Sequence, residues 1–313
     1  MKAVFMGTPD FAVPVLDAML KAGIDVAAVV TQPDKTKGRG RKLIYSPVKE
    51  LALSRGIEVL QPVRIKKDPD FQDKIRAIAP DVIVVVAFGQ IIPQSLLDIP
   101  RIGCVNVHGS LLPKYRGAAP IQWAILKGEK ETGVTTMLMD AGLDTGDMLL
   151  KAVVPIAKDE TSESLSGKLS EAGADLLIRT LEGLEKGTIS PVPQDDSRAG
   201  MYASMLSKEM GEIDFSLPAE QIDRQIRGLY PWPGTYTHFN GRLLRIWKAD
   251  IGPDAGPGAE PGTVVNVTKK NMTVQTGQGA LIIGEVQLEG KKRMDCASFL
   301  NGNKVLPGMA LGE

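Results

Sequence analysis

The first two thirds of the chain alternate short apolar runs with segments of helical periodicity, and this alternation leaves very few possible architectures. The apolar runs are continuous and rich in β-branched residues, as is typical of strands buried on both faces. They read KAVFM, DVAAVVT, DVIVVVA, GCVNVH and GVTTMLM. Helices are predicted between and after them, over 10–22, 46–55, 68–78, 119–126 and 161–184. Strands and helices in alternation predict an α/β domain with a doubly wound, mostly parallel, Rossmann-like sheet.

The pattern changes after Gly211. One amphipathic helix, predicted over 218–229, precedes short apolar runs that are separated by glycine, asparagine and proline. Short strands with regular turn signals are typical of a small antiparallel β-barrel, and we expect an OB-like barrel here. Turn residues and scattered polar groups lie between the two patterns. We therefore predict a first domain over 1–190, a linker over 191–207 and a second domain over 208–313.

Composition excludes several classes of protein. The 313 residues are 43% hydrophobic, so a packed core is expected, and Lys plus Arg equals Asp plus Glu at 37 each. A polyanionic partner must therefore be met by a local basic patch. The two cysteines, Cys104 and Cys296, lie far apart in apolar surroundings, which argues against a disulfide framework and against a zinc site. With no long apolar run either, we expect a cytoplasmic protein without a membrane segment or a bound metal.

One strand ends in an unusual group of polar residues, NVHGSLLPKYRG, which begins at Asn106. Residues two apart in a strand point to the same face, so Asn106 and His108 project together while Val105 and Val107 point to the other face. Their place at the carboxyl end of a strand is where doubly wound sheets hold ligands. An amide beside an imidazole suits a reaction that passes through a tetrahedral intermediate, because both groups can stabilise an oxyanion.

A carboxylate is expected to orient this imidazole. The loop MDAGLDTGDM follows another apolar run and carries Asp140, Asp144 and Asp147 among glycines. Any of the three is a plausible partner for His108, although loops rich in aspartate and glycine are often simple turns. The other histidine, His238, lies in an alternating strand of the second domain and is given no role.

The stretch NVHGSLLPKYRGAAPIQWAI, followed by GLDTGD, resembles the signature of the folate-dependent formyltransferases. The start VFMGTPDFAVPVL, the loop TQPDKTKGRGRKLIYSPVK and the late RGLYPWPGTYT resemble the branch of that family that formylates methionyl-tRNA. The resemblance implies that 10-formyltetrahydrofolate donates a formyl group to the α-amine of methionine on initiator tRNA. It implies a catalytic trio of Asn106, His108 and Asp144. It also places a folate-binding segment on Ser110, Leu111, Leu112 and Pro113.

The expected chemistry follows from these residues. Asn106 and a protonated His108 would stabilise the oxyanion, and Asp144 would favour the charged imidazole by proximity. Further residues follow the apolar strand VIVVVA, and from this position we expect them to line a flat pocket for the pteridine ring. A simple role in the core explains these residues equally well. These are Phe88, Gly89, Ile91 and Ile92.

The stretch DKTKGRGRK between the second strand and the next helix is strongly basic. Its glycines on both sides of Arg39 would let the backbone approach a ligand while the guanidinium reaches phosphate or base edges. We expect this loop to contact tRNA, and the second domain to hold the acceptor arm by its backbone; a solvated run of charge is the alternative. The expected tRNA contacts are Lys37, Arg39, Arg41, Lys42, Lys269 and Lys270.

Two other functions remain possible at this point. A folate-dependent formyltransferase acting on an amino-sugar nucleotide would share the folate site, but the basic loop at 34–42 argues against it. A dinucleotide-binding module is disfavoured because the first turn, GTPDF, lacks the glycine fingerprint of such sites. We expect a monomer whose partners are the folate donor and initiator methionyl-tRNA.

Overall fold

A computed structural model describes residues 1–37, 42–253 and 259–312 of the chain. The chain divides into two compact units. The amino-terminal unit comprises Met1–Pro120, Glu131–Pro155 and Ser166–Ala203. The carboxy-terminal unit comprises Ile121–Lys130, Ile156–Leu165 and Ser204–Glu313. Two short segments from the middle of the chain thus group with the carboxy-terminal unit.

The amino-terminal unit is built on a seven-stranded sheet in the order β5-β2-β1-β6-β7-β8-β9, with a separate β3-β4 hairpin. The strands are β1 Lys2–Gly7, β2 Asp25–Val30, β3 Lys35–Lys37, β4 Lys42–Ile44, β5 Val59–Leu60, β6 Val82–Val86, β7 Gly103–His108, β8 Glu131–Leu138 and β9 Met148–Pro155. The five strands from β5 to β7 are parallel, whereas β8 and β9 are antiparallel. The mostly parallel sheet is confirmed.

The run GVTTMLM forms β8, but it pairs with β7 in the antiparallel sense. The connection between β7 and β8 therefore begins and ends at the same end of the sheet, where β7 finishes and β8 starts, although it contains a helix. A helix between two strands predicts a parallel pair only when the connection returns from the carboxyl end of the first strand to the opposite end of the sheet. The alternation also did not predict β9, because β9 follows β8 without an intervening helix and pairs with it in the antiparallel sense.

The helices follow the predicted periodicity closely. They are α1 Val13–Lys21, α2 Pro47–Ser54, α3 Pro69–Ile78, α4 Gln94–Leu97, α5 Pro120–Leu126, α6 Ser162–Lys186, α7 Ala219–Gly228 and α8 Cys296–Gly302. Local capping explains two of the starts: Ser46 accepts a hydrogen bond from the Lys49 amide, and Asp68 accepts one from the Phe71 amide. Proline follows each cap, at the position where a missing N–H costs nothing. No helix in the described ranges is both long and apolar enough to cross a membrane.

The core of the amino-terminal unit includes Val4, Met6, Ile83 and Val85 from the central strands. Full burial of each such side chain stabilises the fold by about 1.5 to 3 kcal/mol. On β7, Val105 and Val107 are buried, which fixes the face of the strand on which Asn106 and His108 lie.

The carboxy-terminal unit contains an antiparallel sheet in the order β10-β11-β14-β13-β12, with β15 paired to β14. The strands are β10 Thr235–Phe239, β11 Arg242–Gly252, β12 Val264–Val267, β13 Met272–Gln275, β14 Ala280–Leu288 and β15 Met294–Asp295. Helix α7 buries Ala219, Ile222 and Ile226, which are spaced three and four residues apart, in the core of this unit. The predicted antiparallel second domain is confirmed.

A buried ion pair anchors the start of the β3-β4 hairpin. The Asp34 carboxylate accepts a hydrogen bond from Lys49 Nζ at 2.5 Å and one from Gln61 Nε2 at 2.9 Å. Both charged side chains are nearly buried, at 13% and 12% exposure. The bond from Lys49, followed by that from Gln61, lowers the pKa of the Asp34 carboxyl below its usual value of 3.8.

This lowered pKa predicts an acid-dependent loss of stability. The contribution of Asp34 is fully present above its unfolded pKa, near 3.8, and is lost as the pH falls through the lower folded pKa. We expect Asp34→Asn to lower the free energy of unfolding at neutral pH by about 1 kcal/mol, the usual worth of such hydrogen bonds. The deficit should shrink as the pH falls below 3.8.

Urea unfolding of both proteins across this pH range measures the difference, with the exposed Asp10→Asn variant as a control for lost surface charge. A deficit that stays constant with pH would contradict the expectation.

Candidate active site

The carboxyl end of β7 places Asn106 and His108 on one face of the sheet. Asn106 is opposite Met137 and His108 is opposite Thr135 on β8. His108 is 7% exposed, and Asn106 is half-buried. The Asn106 Oδ1 atom is buried and has no hydrogen-bond partner within the described part of the chain. Leaving a buried amide oxygen without a hydrogen bond costs about 1 to 3 kcal/mol of folding free energy, and such atoms are typical of ligand-binding sites.

The His108 ring lies between two acceptor groups. Its Nε2 atom is 3.0 Å from the Tyr115 carbonyl oxygen, and its Nδ1 atom is 3.8 Å from Asp144 Oδ1. A carbonyl only accepts, so Nε2 carries a proton. The Nδ1 distance is too long for a hydrogen bond but short enough for electrostatic attraction. The Nε2 contact thus orients the ring and leaves Nδ1 available to a reacting group.

Geometry selects Asp144 from the three aspartates of its loop. Asp140 instead accepts hydrogen bonds from the Gly142 amide and the Thr145 hydroxyl. Asp144 Oδ2 accepts a hydrogen bond of 2.9 Å from the Gly117 amide, which leaves Oδ1 facing His108. A side chain on Gly146 would lie 1.8 Å from the Leu138 carbonyl, so this tight loop requires glycine there.

The predicted folate segment is held firmly by groups of the protein itself. Ser110 and Leu112 are buried, and Leu111 is half-buried. The Thr135 hydroxyl donates to the Ser110 carbonyl at 2.7 Å and accepts from the Leu112 amide at 3.0 Å. Lys151 Nζ donates to the Leu112 carbonyl at 2.6 Å. The backbone groups of Leu112 are therefore bonded within the protein, and Pro113 is buried behind them.

Partial burial of Lys151 lowers the pKa of its ammonium, and the nearby charge of Arg198 adds to this effect. The sequence analysis did not single out Lys151 or Thr135. Each is a polar residue within an apolar strand, and for Lys151 in MLLKAVVP this is a visible signal. Threonine is an ordinary strand residue, so its role in binding the backbone of another segment is not apparent from sequence.

The four residues predicted to line a pteridine pocket occupy different environments. Phe88 and Ile92 are buried in the hydrophobic core of the amino-terminal unit, whereas Ile91 is 74% exposed. Gly89 has a φ of +82°, and Gln32 Nε2 donates to the neighbouring Phe88 carbonyl at 3.0 Å. Phe88 and Ile92 thus have a core role by their side chains.

The predicted tRNA contacts fall into two groups. In the first, Lys37 and Lys42 pair across the β3-β4 hairpin, and Arg39 and Arg41 lie outside the described residues. The second group, Lys269 and Lys270, is exposed in the turn between β12 and β13 of the carboxy-terminal unit. The Lys270 amide donates to the Thr268 hydroxyl at 3.1 Å, which orders this turn.

Among the described residues, no group of three or more His, Cys, Asp or Glu side chains could hold a metal ion.

The hydrogen bonds of Thr135 predict a defect in donor binding. Thr135→Val leaves the Leu112 amide and the Ser110 carbonyl without this partner, which should cost about 1 to 3 kcal/mol of stability. We expect the loosened segment to bind a folate analogue roughly tenfold more weakly, a change of about 1.4 kcal/mol measured by calorimetry.

Thr136→Val is the matched control, because Thr136 is equally buried but bonds to Thr180 and Leu150. Thr136→Val should lower the stability of the protein without weakening its binding of the folate analogue. Equal affinities of the two variants would show that the Thr135 hydroxyl does not support the binding segment.

Comparison with known proteins identifies the family. The formyl transferase model matches residues 1–181, and the model of the formyl transferase C-terminal domain matches residues 205–304. The methionyl-tRNA formyltransferase of Lachnospira eligens is 54% identical over 317 residues and covers 100% of both chains. That of Geobacter sulfurreducens is 50% identical over 313 residues, covering 100% of this chain and 97% of the relative.

Two solved structures share the fold. The N-formyltransferase from Helicobacter canadensis, in complex with folinic acid and dTDP-3-aminofucose, has a TM-score of 0.68 at 19% identity, over 90% of this chain and 98% of that one. HypX from Aquifex aeolicus in complex with tetrahydrofolic acid has a TM-score of 0.66 at 17% identity; the match covers 99% of this chain and only 50% of HypX. From the two family models and the full-length relatives, the chain belongs to the formyl transferase family, in its methionyl-tRNA formyltransferase group.

Proposed function

We propose that this enzyme transfers the formyl group of 10-formyltetrahydrofolate to the α-amine of methionine esterified to initiator tRNA. The observation that carries the proposal is full-length identity of 50 to 54% with methionyl-tRNA formyltransferases. The placement of Asn106 and His108 at the end of β7, with Asp144 of the β8–β9 loop 3.8 Å from the His108 ring, supports it, because the site then has the groups that an acyl transfer to an amine needs.

The residues present fit a folate donor. The buried, unpaired Asn106 Oδ1 and the rigid segment from Ser110 to Pro113 lie next to one another on the chain, at the carboxyl end of β7. We propose that this segment and the neighbouring Phe88–Ile92 turn hold the donor, chiefly through shape, with Ile91 and Gly89 as the exposed members of the turn. When bound, the donor supplies an electrophilic formyl carbon, with tetrahydrofolate as the leaving group. The amine would lose one proton as its nitrogen bonds to the formyl carbon, and the folate nitrogen would gain one as its own bond to that carbon breaks.

The chain's own residues then act on protons and charge. The proton on His108 Nδ1, which is not bonded to Asp144, would be donated toward the formyl oxygen as negative charge develops there. The Asn106 amide would donate to the same oxygen, while its Oδ1 atom accepts an N–H of the attacking amine. Asp144 would stabilise the imidazolium from 3.8 Å and keep the ring oriented.

An amino-sugar nucleotide is the alternative acceptor, since the related fold of the Helicobacter canadensis enzyme was solved with dTDP-3-aminofucose. That enzyme is only 19% identical, so the likeness concerns the fold alone. The basic residues favour tRNA instead. We propose that Lys37, Arg39, Arg41 and Lys42 contact its acceptor end and that Lys269 and Lys270 contact its backbone.

The direct test offers the enzyme 10-formyltetrahydrofolate with three acceptors: initiator methionyl-tRNA, elongator methionyl-tRNA and a dTDP-amino sugar. We expect rapid formylation of the initiator species alone. Formylation of the sugar nucleotide in preference to tRNA would overturn the proposal.

We further propose that the enzyme acts as a monomer in the cytoplasm. Cys104 and Cys296 are both free and buried, which fits a reducing compartment.

The catalytic roles predict large losses of turnover without loss of folding. Asn106→Ala should lower kcat by roughly 10² to 10³, the usual effect of removing one oxyanion donor. His108→Ala should lower it by roughly 10² to 10⁴, as for a lost acid-base group. His238→Ala is the control, because this second histidine lies in the carboxy-terminal unit. Single-turnover formylation at saturating donor measures these changes, and normal turnover in Asn106→Ala would exclude its assigned role.

The tRNA contacts predict a change in salt dependence. The double variant Lys269→Ala, Lys270→Ala should bind tRNA more weakly and flatten the plot of log K against log salt by about 0.9 per lost phosphate contact. The matched control is Lys66→Ala, Lys67→Ala, which removes the same charge from another exposed basic pair. If both double variants change the slope equally, net charge rather than a contact at Lys269 and Lys270 is responsible.

A further inference from the structure

Residues 192–203, which we call the docked segment, lie within the region that the sequence predicts as a linker. The structure instead attaches one end of this segment to the first residue of β9 and the other end to the loop that follows the folate segment, both in the amino-terminal unit. At one end, Val192 and Met148 exchange two backbone hydrogen bonds of 2.8 and 2.9 Å. At the other end, the Ala203 amide donates to the Arg116 carbonyl at 2.7 Å, and the Ala118 amide donates to the Ala203 carbonyl at 2.8 Å. The docked segment thus joins the start of β9 to the loop that follows the folate segment.

Close approach of the backbones reinforces this attachment. Gly117 has a φ of +126°, and a side chain there would lie 2.4 Å from the Ala203 carbonyl oxygen. The same Gly117 donates its amide to Asp144 Oδ2. Only glycine at position 117 therefore leaves room for the backbone of Ala203 while its own amide donates to the Asp144 carboxylate.

Gln194, in the docked segment, uses its whole amide group on the catalytic loops. Its Nε2 atom donates to the carbonyls of Asp144 and Gly146, both at 2.8 Å. Its Oε1 atom accepts from Arg116 Nε at 2.9 Å. The half-buried side chain thereby bridges the loop that carries Asp144 and the loop that follows the folate segment.

The backbone of Asp144 needs such support. Its φ is +55°, in the left-handed region that residues other than glycine, asparagine and aspartate rarely adopt. Conformations of this kind persist only where the surroundings hold them. Gln194 bonds the carbonyl of Asp144 itself, so it acts on the residue whose conformation is unfavourable.

We propose that Gln194 is a positioning residue for the reaction, which holds the Asp144 carboxylate against the His108 ring. This inference rests on the proposed function, because Asp144 must act through His108. The role needs both amide donors of Gln194, since two carbonyls are held in place. Asp196, two residues along, pairs with Arg116 Nη2 at 2.8 Å and is 84% exposed.

The experiment compares Gln194→Met and Gln194→Glu with the control Asp196→Ala in the full-length enzyme. Methionine keeps the approximate volume of glutamine but loses all three hydrogen bonds. Glutamate keeps the acceptor for Arg116 and loses the two donors. Both should lower kcat by roughly tenfold to a hundredfold, as expected for a displaced catalytic group, with less change in the KM of the donor. Asp196→Ala should keep the kcat of the original enzyme.

A second measurement detects the positioning itself. The chain has only two histidines, so the ring resonances in a nitrogen-15 NMR spectrum divide between His108 and His238. We expect both Gln194 variants to shift the His108 resonances and to leave those of His238, in the carboxy-terminal unit, unchanged. Unchanged His108 resonances, or a normal kcat in both variants, would overturn the proposal. Equal shifts at both histidines would overturn it too, because they would indicate a general structural change.

This design separates the inference from the proposed function. An enzyme that does not formylate methionyl-tRNA refutes the function, whereas the His108 resonances of the variants still report whether Gln194 positions the site.

Discussion

The pairing of β7 between β6 and β8 is the constraint on which the site depends. Val84 pairs with Val105 on the parallel side, and Thr136 pairs with Val107 on the antiparallel side. A slip of one residue would turn both valines to the opposite face and bury the amide and imidazole in the core. Hydrophobic burial thus fixes the register, and the register in turn aims Asn106 and His108.

The loops around His108 are held by directional bonds rather than by apolar packing. The Thr135 hydroxyl and the Lys151 ammonium hold the segment after β7, and the Gly117 amide and the Gln194 amide hold Asp144. Such bonds fix atoms to within a few tenths of an ångström, which apolar contacts alone do not achieve. A site prepared in this way needs little rearrangement when charge develops on the substrate, and this is the main source of electrostatic catalysis.

Periodicity predicted the central strands and most of the helices because it reports burial directly, but it did not predict the antiparallel direction of β8 or the strand β9. The helix predicted over 68–78 is Pro69–Ile78 in the structure, with Asp68 as its cap. Alternation within β7 also identified Asn106 and His108. Asp144 could not be separated from Asp140 and Asp147 by sequence spacing, because the choice depends on a tight turn that brings one carboxylate toward the ring.

The docked segment shows the opposite case. Its proline, aspartate and serine residues have the composition of a linker, and nothing in their spacing predicts that Val192 pairs with Met148. Pairing of irregular segments depends on the shape of the partner loop, which local propensity does not encode.

Under the proposed function, acceptor choice comes from outside the segment that we propose holds the donor. The polar backbone groups of Leu112 and the Ser110 carbonyl are bonded within the protein, so this part of the segment cannot read the identity of an acceptor. A protein with no net charge also has no long-range field to attract a polyanion. Under the proposed function, discrimination between a nucleotide sugar and a tRNA would depend on local exposed charge, such as the proposed contacts Lys269 and Lys270, and on the short screening length of salt water. Since charge contacts act only within about 10 Å in such solutions, the proposed contacts would select an acceptor by the shape of its phosphate backbone as well as by its charge.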